Sequence, residues 1–409
     1  MPTSLAGKRL AAQKLSPAGK WAGLAVFVGL FVGFACITLE YLTQTVGAIA
    51  LAWIAGFRLS GADAEHRLFA ASASETLAEG FSPVALLLVI VGGGLVSGWL
   101  VYRFAPETAG AGTDAAVESF HHRKGVMPKR VIWIKTLASA VTLGTGGSGG
   151  REGPIVQIGA AVGATLSDRL KLSSRDRRIL LVAGMGAGVG AMFRAPLAGA
   201  IFAGEILYSD ADIEADVLVP SAVASIVAYS VYIQAIPAEV RFQPIFGDSL
   251  QHGFASPLEL PIYLLLALVV FLAAAAYSFV FKQTTRAFSR IPGPPAIRPA
   301  IGAGFAGILG IAGFFAFDRN VDVLAVLGTG YGTLQKALVG DPTLSIGVLF
   351  AVAILKIATS AFSIGSGGSG GAFAPSMVIG GCIGAAFGLL ADHLVPGFAP
   401  HPVTVGVGG

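Results

Sequence analysis

Charge is what this 409-residue chain has least of: Asp, Glu, Lys and Arg together make up 12%, against 54% hydrophobic residues and a mean hydropathy of +0.76. That composition excludes an ordinary soluble domain, in which roughly a quarter of the residues are charged. Cysteine is almost as scarce. Cys36 and Cys382 both fall in apolar runs, so neither a disulfide framework nor a metal site is suggested. The 27 basic and 23 acidic residues leave a net charge of +4 and a pI near 9.1, which fits anionic lipid or anionic solutes. No soluble basic patch points to nucleic acid. A membrane enzyme cradling a phosphate in its glycine loops is a weak alternative. No Gly-Lys-Ser/Thr follows either loop, no acidic pair is placed for magnesium, and no nucleophile shares a motif with a histidine, so no cofactor is expected.

What is present in quantity is apolar length. Charge-free runs at 21–39, 41–57, 81–102, 217–238, 260–281, 299–317 and 357–391 are long enough, or nearly so, to cross about 30 Å of hydrocarbon. The stretch 21–57, broken only by Glu40, is either one long tilted helix or two joined ones. Runs at 153–167, 179–193 and 195–204 are too short to cross alone, as re-entrant or broken helices are, and these survive at membrane depth only where protein or a water path surrounds them. The reading is an all-α polytopic membrane protein with three parts: a basic tail at 1–20, a first half at 21–216 and a second half at 217–409. Lys8, Arg9, Lys14 and Lys20 precede any acid, which puts the amino terminus in the cytoplasm. The five cations between Asp168 and Arg178 read as a second cytoplasmic loop. Residues 58–80 read as an external loop with Asp63, Glu65, Glu75 and Glu79, and His121-His122 as part of a solvated loop within 105–130.

The chemistry concentrates between Gly144 and Gly163. Five glycines precede Arg151-Glu152-Gly153-Pro154, and the following residues are uncharged as far as Ser167. This is a glycine loop feeding a helix expected to begin near Pro154, since proline at the first position lacks only an amide that would be unpaired anyway. The bare amides of a first turn and the positive end of the helix dipole together make an anion site. Glu152, a carboxylate beside such a site in an apolar segment, is expensive and therefore a functional candidate.

The stretch occurs twice. Adding 221 takes Lys135 to Lys356, Ser139 to Ser360, Gly146 through Gly150 to Gly367 through Gly371, Pro154 to Pro375, Gly159 to Gly380 and Gly163 to Gly384. Upstream, Gly330-Tyr331-Gly332-Thr333 answers Gly110-Ala111-Gly112-Thr113 at a separation one residue shorter. Duplicated, glycine-interrupted membrane segments point to a transporter whose site lies between the halves. Glu152 itself has no counterpart. Its partner is Phe373, so one copy brings a titratable group to the centre and the other an aromatic ring. The dense Gly and Ala of 184–190 and 195–199 read mainly as close helix packing in lipid.

Gly-Arg-Glu-Gly-Pro at 150–154 with Val-Gln-Ile-Gly after it, Gly-x-Phe-x-Pro at 371–375, and Ala-Pro-Leu-Ala-Gly at 195–199 resemble the CLC family of chloride channels and chloride/proton exchangers, over roughly residues 20–409. The resemblance implies an inverted-repeat bundle with broken and re-entrant helices. It also implies a homodimer with a separate pore in each subunit, placed in a bacterial cell membrane, that passes chloride or a similar small anion. By position, Glu152 resembles the gating glutamate, whose carboxylate occupies the anion path and moves aside when protonated. Gly110, Ala111 and Gly112, Gly150, Arg151, Gly153, Pro154, Ile155 and Val156, and Gly371, Ala372, Phe373, Ala374 and Pro375 would frame the anion sites. Lys135 resembles the basic residue near the path; alternatively, Lys135 and Lys356 only pair with carbonyls or acids within the bundle.

Three departures qualify the resemblance. Ala111 and Asp114 replace the serine and proline of the first anion motif, removing a hydroxyl from the central anion. Ile206 stands where exchangers often carry an inner glutamate, so Glu205 or water takes over a proton path, or coupling is absent. The chain also stops where a second Ala-Pro-Leu-Ala-Gly segment would begin, with Val403–Gly409 aligning loosely with Leu181–Ala187, and so reads as truncated relative to the family pattern. An uncoupled channel, or a nitrate or fluoride transporter of the same build, remains the alternative, although the fluoride branch usually alters the proline that stands here at Pro154.

Overall fold

Among the described residues, seven segments are long and apolar enough to span a bilayer: Lys20–Ala55, Pro83–Phe104, Asp216–Ala235, Leu260–Ser289, Pro295–Ala316, Ile346–Gly365 and Phe373–Leu394. The structure, a computed structural model, describes residues 17–65, 77, 80–208, 215–246 and 260–394. Residues 1–16 of the basic tail, Glu75 and Glu79, Asp210, Asp212 and Glu214, residues 247–258 and Val403–Gly409 lie outside the described residues.

The first helix among the described residues, α1 (Pro17–Gly47), runs directly into a π-helical stretch, Ala48–Ala55, and stops at Gly56, whose φ of 65° reverses the chain. The run 21–57 is therefore continuously helical as far as Ala55. After it come α2 (Pro83–Phe104), α3 (Thr113–His122), α4 (Arg130–Gly144), α5 (Glu152–Arg169), α6 (Ser174–Met192), α7 (Pro196–Glu205) and α8 (Ala215–Tyr232). The remaining helices are α9 (Leu260–Ser289), α10 (Arg298–Ala316), α11 (Tyr331–Leu338), α12 (Ile346–Gly365) and α13 (Phe373–Leu394). At about 1.5 Å per residue, the ten residues of α7 reach only half-way across hydrocarbon.

The charge-free run 357–391 is two helices, as the duplicated glycine loop implies: with Gly367 at φ 104°, it breaks the run after α12. Three expectations need correction. Asp168–Arg178 is mostly helix: α5 ends at Arg169 and α6 begins at Ser174, where the Ser173 hydroxyl accepts from the Asp176 amide at 3.1 Å. His121 belongs to α3 and its ring bonds the Leu207 carbonyl at 2.6 Å, so it is not a solvated loop residue. Finally, α5 starts at Glu152 and α13 at Phe373, two residues before each proline. Proline is tolerated anywhere in a first turn whose amides have no carbonyl to pair with, so Pro154 permits the helix without marking its first residue.

The chain divides into two compact units. One comprises residues 1–38, 113–132 and 155–235. In it α6 packs on α7 and α8, and Gly159 and Gly184 let α5 and α6 touch backbone to backbone, since a Cβ on either would collide with the other's carbonyl. The small residues of α6 serve close packing, as read from sequence. The core of this unit includes Val156, Ala160, Leu181, Val182, Met185 and Val217. The other unit comprises residues 39–112, 133–154 and 236–409. Here α2 packs on α10 and α12 on α13, around a core that includes Leu86, Ile90, Leu324, Leu349, Val352 and Val378. Every residue of the candidate site except Ile155, Val156 and Glu205 belongs to this second unit.

Candidate functional site

The two glycine loops meet at residues that the repeat makes equivalent. Gly150 and Gly371 donate to each other's carbonyls, at 2.8 Å and 2.7 Å, in an antiparallel bridge. A reciprocal pair of bonds between repeat-related residues is what a local two-fold produces. The flanks follow: Gly149 N–H donates to Gly328 at 3.1 Å, and Gly110 N–H donates to Gly368 at 3.1 Å. Each loop's serine also reaches the other copy. Ser148 bonds Thr359 and Ser363 on α12, and Ser369 bonds Ser139 on α4. The starts of α5 and α13 are thus pinned side by side, and only glycine fits. A Cβ on Gly371 would lie 2.6 Å from the Gly153 nitrogen, and one on Gly153 would lie 2.6 Å from the Ala111 carbonyl oxygen.

Glu152 sits at this junction, 3% exposed. Its Oε1 accepts from the Tyr331 hydroxyl at 2.6 Å. Its Oε2 is buried without a hydrogen-bond partner among the described residues and lies so close over Gly150 that a side chain there would collide with it. Arg151 points elsewhere: its guanidinium pairs with Glu40 of α1 through one terminal nitrogen and with Glu65 through the other. Gln44 donates to Glu40 at 2.5 Å, and the Ala62 amide donates to Glu65 at 3.2 Å, fixing both acids. One guanidinium therefore serves two carboxyl groups, those of Glu40 and Glu65. Phe373, the counterpart of Glu152, is 41% exposed, so its ring is not packed into the centre as expected.

The lysines behave as a symmetric pair. Lys135 is fully buried and donates to the carbonyls of Thr108 (3.0 Å) and Gly110 (2.7 Å). Lys356 is equally buried and donates to Ala325 (2.9 Å) and Gly328 (2.8 Å). Thr108 and Gly328 are themselves related by the shorter upstream separation of the repeat. Each lysine thus ties its helix to the turn ahead of the short helix of its own copy.

The other expected residues fall as follows. Gly110 (φ 74°) and Gly112 (φ 92°) flank Ala111 in the turn before α3, where left-handed backbone favours glycine. Ala374 and Pro375 are buried in the first turn of α13, and Ala372, next to Gly371, accepts a 3.4 Å bond from Tyr277 of α9. Ile155 and Val156 are buried in the first turn of α5 and belong to the other unit. Glu205 is exposed at the end of α7, and Ile206 packs against that unit's core. Sequence reading missed the parts played by Tyr331, Glu40, Glu65 and Tyr277. Tyr331 carried a signal, being the aromatic residue inserted between two glycines where the first copy has Ala111.

A bundle of membrane helices in duplicated halves, with two broken-helix starts and a buried carboxylate at their meeting point, is the build of an ion-transport protein and not of an enzyme. The chain belongs to the voltage gated chloride channel family, whose model matches residues 93–409. It is 32% identical over 317 residues to the H(+)/Cl(-) exchange transporter ClcA of Yersinia pestis bv. Antiqua, covering 76% of this chain and 63% of that protein. Among solved structures it is similar to a slow cyanobacterial Cl-/H+ antiporter (TM-score 0.71, 22% identity, 96% of this chain and 84% of that one). It is also similar to a CLC-type fluoride/proton antiporter (TM-score 0.71, 18% identity, 99% and 86%). The fold is the CLC-type inverted-repeat bundle, and the chain is an integral membrane protein.

Proposed function

We propose that this protein carries chloride or a similarly small anion across a bacterial cell membrane along a path between the starts of α5 and α13, with Glu152 as its gate. One observation carries the reading: the carboxylate of Glu152 is buried where two helix N-termini are bonded together, with one oxygen unpartnered. First-turn amides and the positive helix ends favour an anion there. An ionised carboxylate competes with the permeating ion for that place, and a protonated one does not. Amides near Gly153 to Val156 and Ala372 to Ala374, together with the Gly110–Gly112 turn, would complete the anion sites, and Lys135 would hold that turn in place by its carbonyls. The exchange transporters among its relatives favour protons as the second substrate. Exposed Glu205 is the acid near Ile206 that could deliver them. The exposed apolar side chains Leu197 and Ile201 on α7 and Val219 and Ile226 on α8 suit a homodimer in lipid.

The test is chloride flux from liposomes holding the purified protein. Glu152→Ala is expected to keep anion flow and lose its response to pH. Loss of flow with the pH response intact would contradict the gate. The reversal potential in opposed chloride and proton gradients separates exchange, which responds to both gradients, from a channel, which ignores the proton gradient.

A further inference from the structure

The two copies differ at the residue between the paired glycines. The first has Ala111 and the second has Tyr331, so the hydroxyl missing from the Gly110–Gly112 turn reappears, as a phenol, in the Gly330–Gly332 turn. Tyr331 opens α11 after Gly330, whose φ of 83° turns the chain into the helix. Its ring is wholly enclosed and stacks edge-on against Phe246 at 5.5 Å. From that rigid seat the hydroxyl donates across 179 residues of sequence to Glu152 Oε1. No other side chain of the described residues donates to that carboxylate, and Oε2 has no hydrogen-bond partner among them. The charged and titratable groups around Glu152 are Arg151, Tyr331 and Glu65, with Glu40 acting through Arg151.

We propose that Tyr331 is the latch of the gate: its hydroxyl holds the ionised Glu152 carboxylate in the closed position and so sets the pH at which the gate lets go. This rests on the gating role proposed above for Glu152. A hydrogen bond to an ionised acceptor is roughly twice as strong as one to a neutral acceptor, so most of the latch is lost on protonation. Oε2 is the oxygen that takes the proton, being unpartnered, while Tyr331 keeps its own. The proton comes from the aqueous phase, and no other covalent bond of the protein forms or breaks. Tyr331 is thus a positioning residue. A buried tyrosine that merely needed some acceptor would affect folding and leave the pH response alone.

The experiment is chloride efflux from liposomes as a function of pH for the wild type, Tyr331→Phe, Glu152→Gln and the double variant. Without the donor the carboxylate loses a stabilising partner and protonates more readily. The midpoint of the pH response in Tyr331→Phe should therefore move upward by about one unit, a roughly tenfold change in proton affinity. In the Glu152→Gln background the same substitution should leave the pH response unchanged. Replacing tyrosine with 3-fluorotyrosine makes the hydroxyl a stronger donor and should move the midpoint downward, and this measurement stands even if Tyr331→Phe does not fold. A midpoint unmoved by either change, while Glu152→Gln abolishes the response, overturns the latch and leaves the gate standing. A pH response that persists in Glu152→Gln overturns the gate, and the latch with it.

Discussion

The two copies of the glycine motif share a skeleton and differ in their chemistry. Gly150 and Gly371 bond each other, Lys135 and Lys356 each hold two carbonyls, and Pro154 and Pro375 occupy the same place in their first turns. At the positions around the junction the match ends: Glu152 answers Phe373, Arg151 answers Ala372, Gly153 answers Ala374, and Ala111 answers Tyr331. Residues that serve geometry are duplicated, because the local two-fold needs both members. Residues that serve the charge appear once, because a second buried carboxylate at the same spot would repel the first.

The comparison yields predictions, the largest first. Arg151→Met, which gives the first copy an uncharged residue as in the second, leaves the half-buried Glu40 and Glu65 without their cation. The expected loss is about 3–5 kcal/mol, read as early thermal aggregation in detergent. Gly153→Ala also copies the second half, yet its Cβ would lie 2.6 Å from the Ala111 oxygen and 2.7 Å from the Gly371 Cα. A cost of about 1–3 kcal/mol and a weaker halide affinity by calorimetry should follow, whereas a neutral result would show that the two helix starts are not pressed together. Lys135→Met and Lys356→Met should each cost about 1–3 kcal/mol, and should cost the same. Unequal melting temperatures would break the symmetry of the pair. The smallest effect lies outside the membrane segments. The hydroxyl and amide of Thr343, at 2.7 Å and 2.9 Å, hold the Asp341 carboxyl below its ordinary value. A depressed value contributes stability above the unfolded-state pKa and loses it as pH falls through the folded one. Asp341→Asn should therefore lower stability slightly at neutral pH and flatten the acid side of the profile, converging on the wild type where Asp341 is protonated in both states.

Much of this was legible in the sequence because glycine and proline act locally. A residue needed at φ 104° or at backbone contact distance has to be glycine wherever the partner lies, so the loops and their duplication stood out. The spanning helices were visible from apolar length. What the sequence hid was set by distance along the chain. Glu65 looked like an external loop acid, and Glu40 like a flaw in an apolar run, because nothing nearby shows that both close on Arg151. The helix starts were misjudged by two residues, since the first turn leaves its amides free and accepts proline at more than one position. Phe373 was expected at the centre from its register alone, but equivalence in the repeat governs the backbone and not the side chain that it carries.

The most direct measurement is a bromide-soaked structure of the Glu152→Gln protein, read by anomalous scattering. The account predicts bromide at the shared start of α5 and α13, within hydrogen-bond reach of the first-turn amides beside Gly153 and Ala374. Bromide bound elsewhere, with that junction empty and closed, would contradict it.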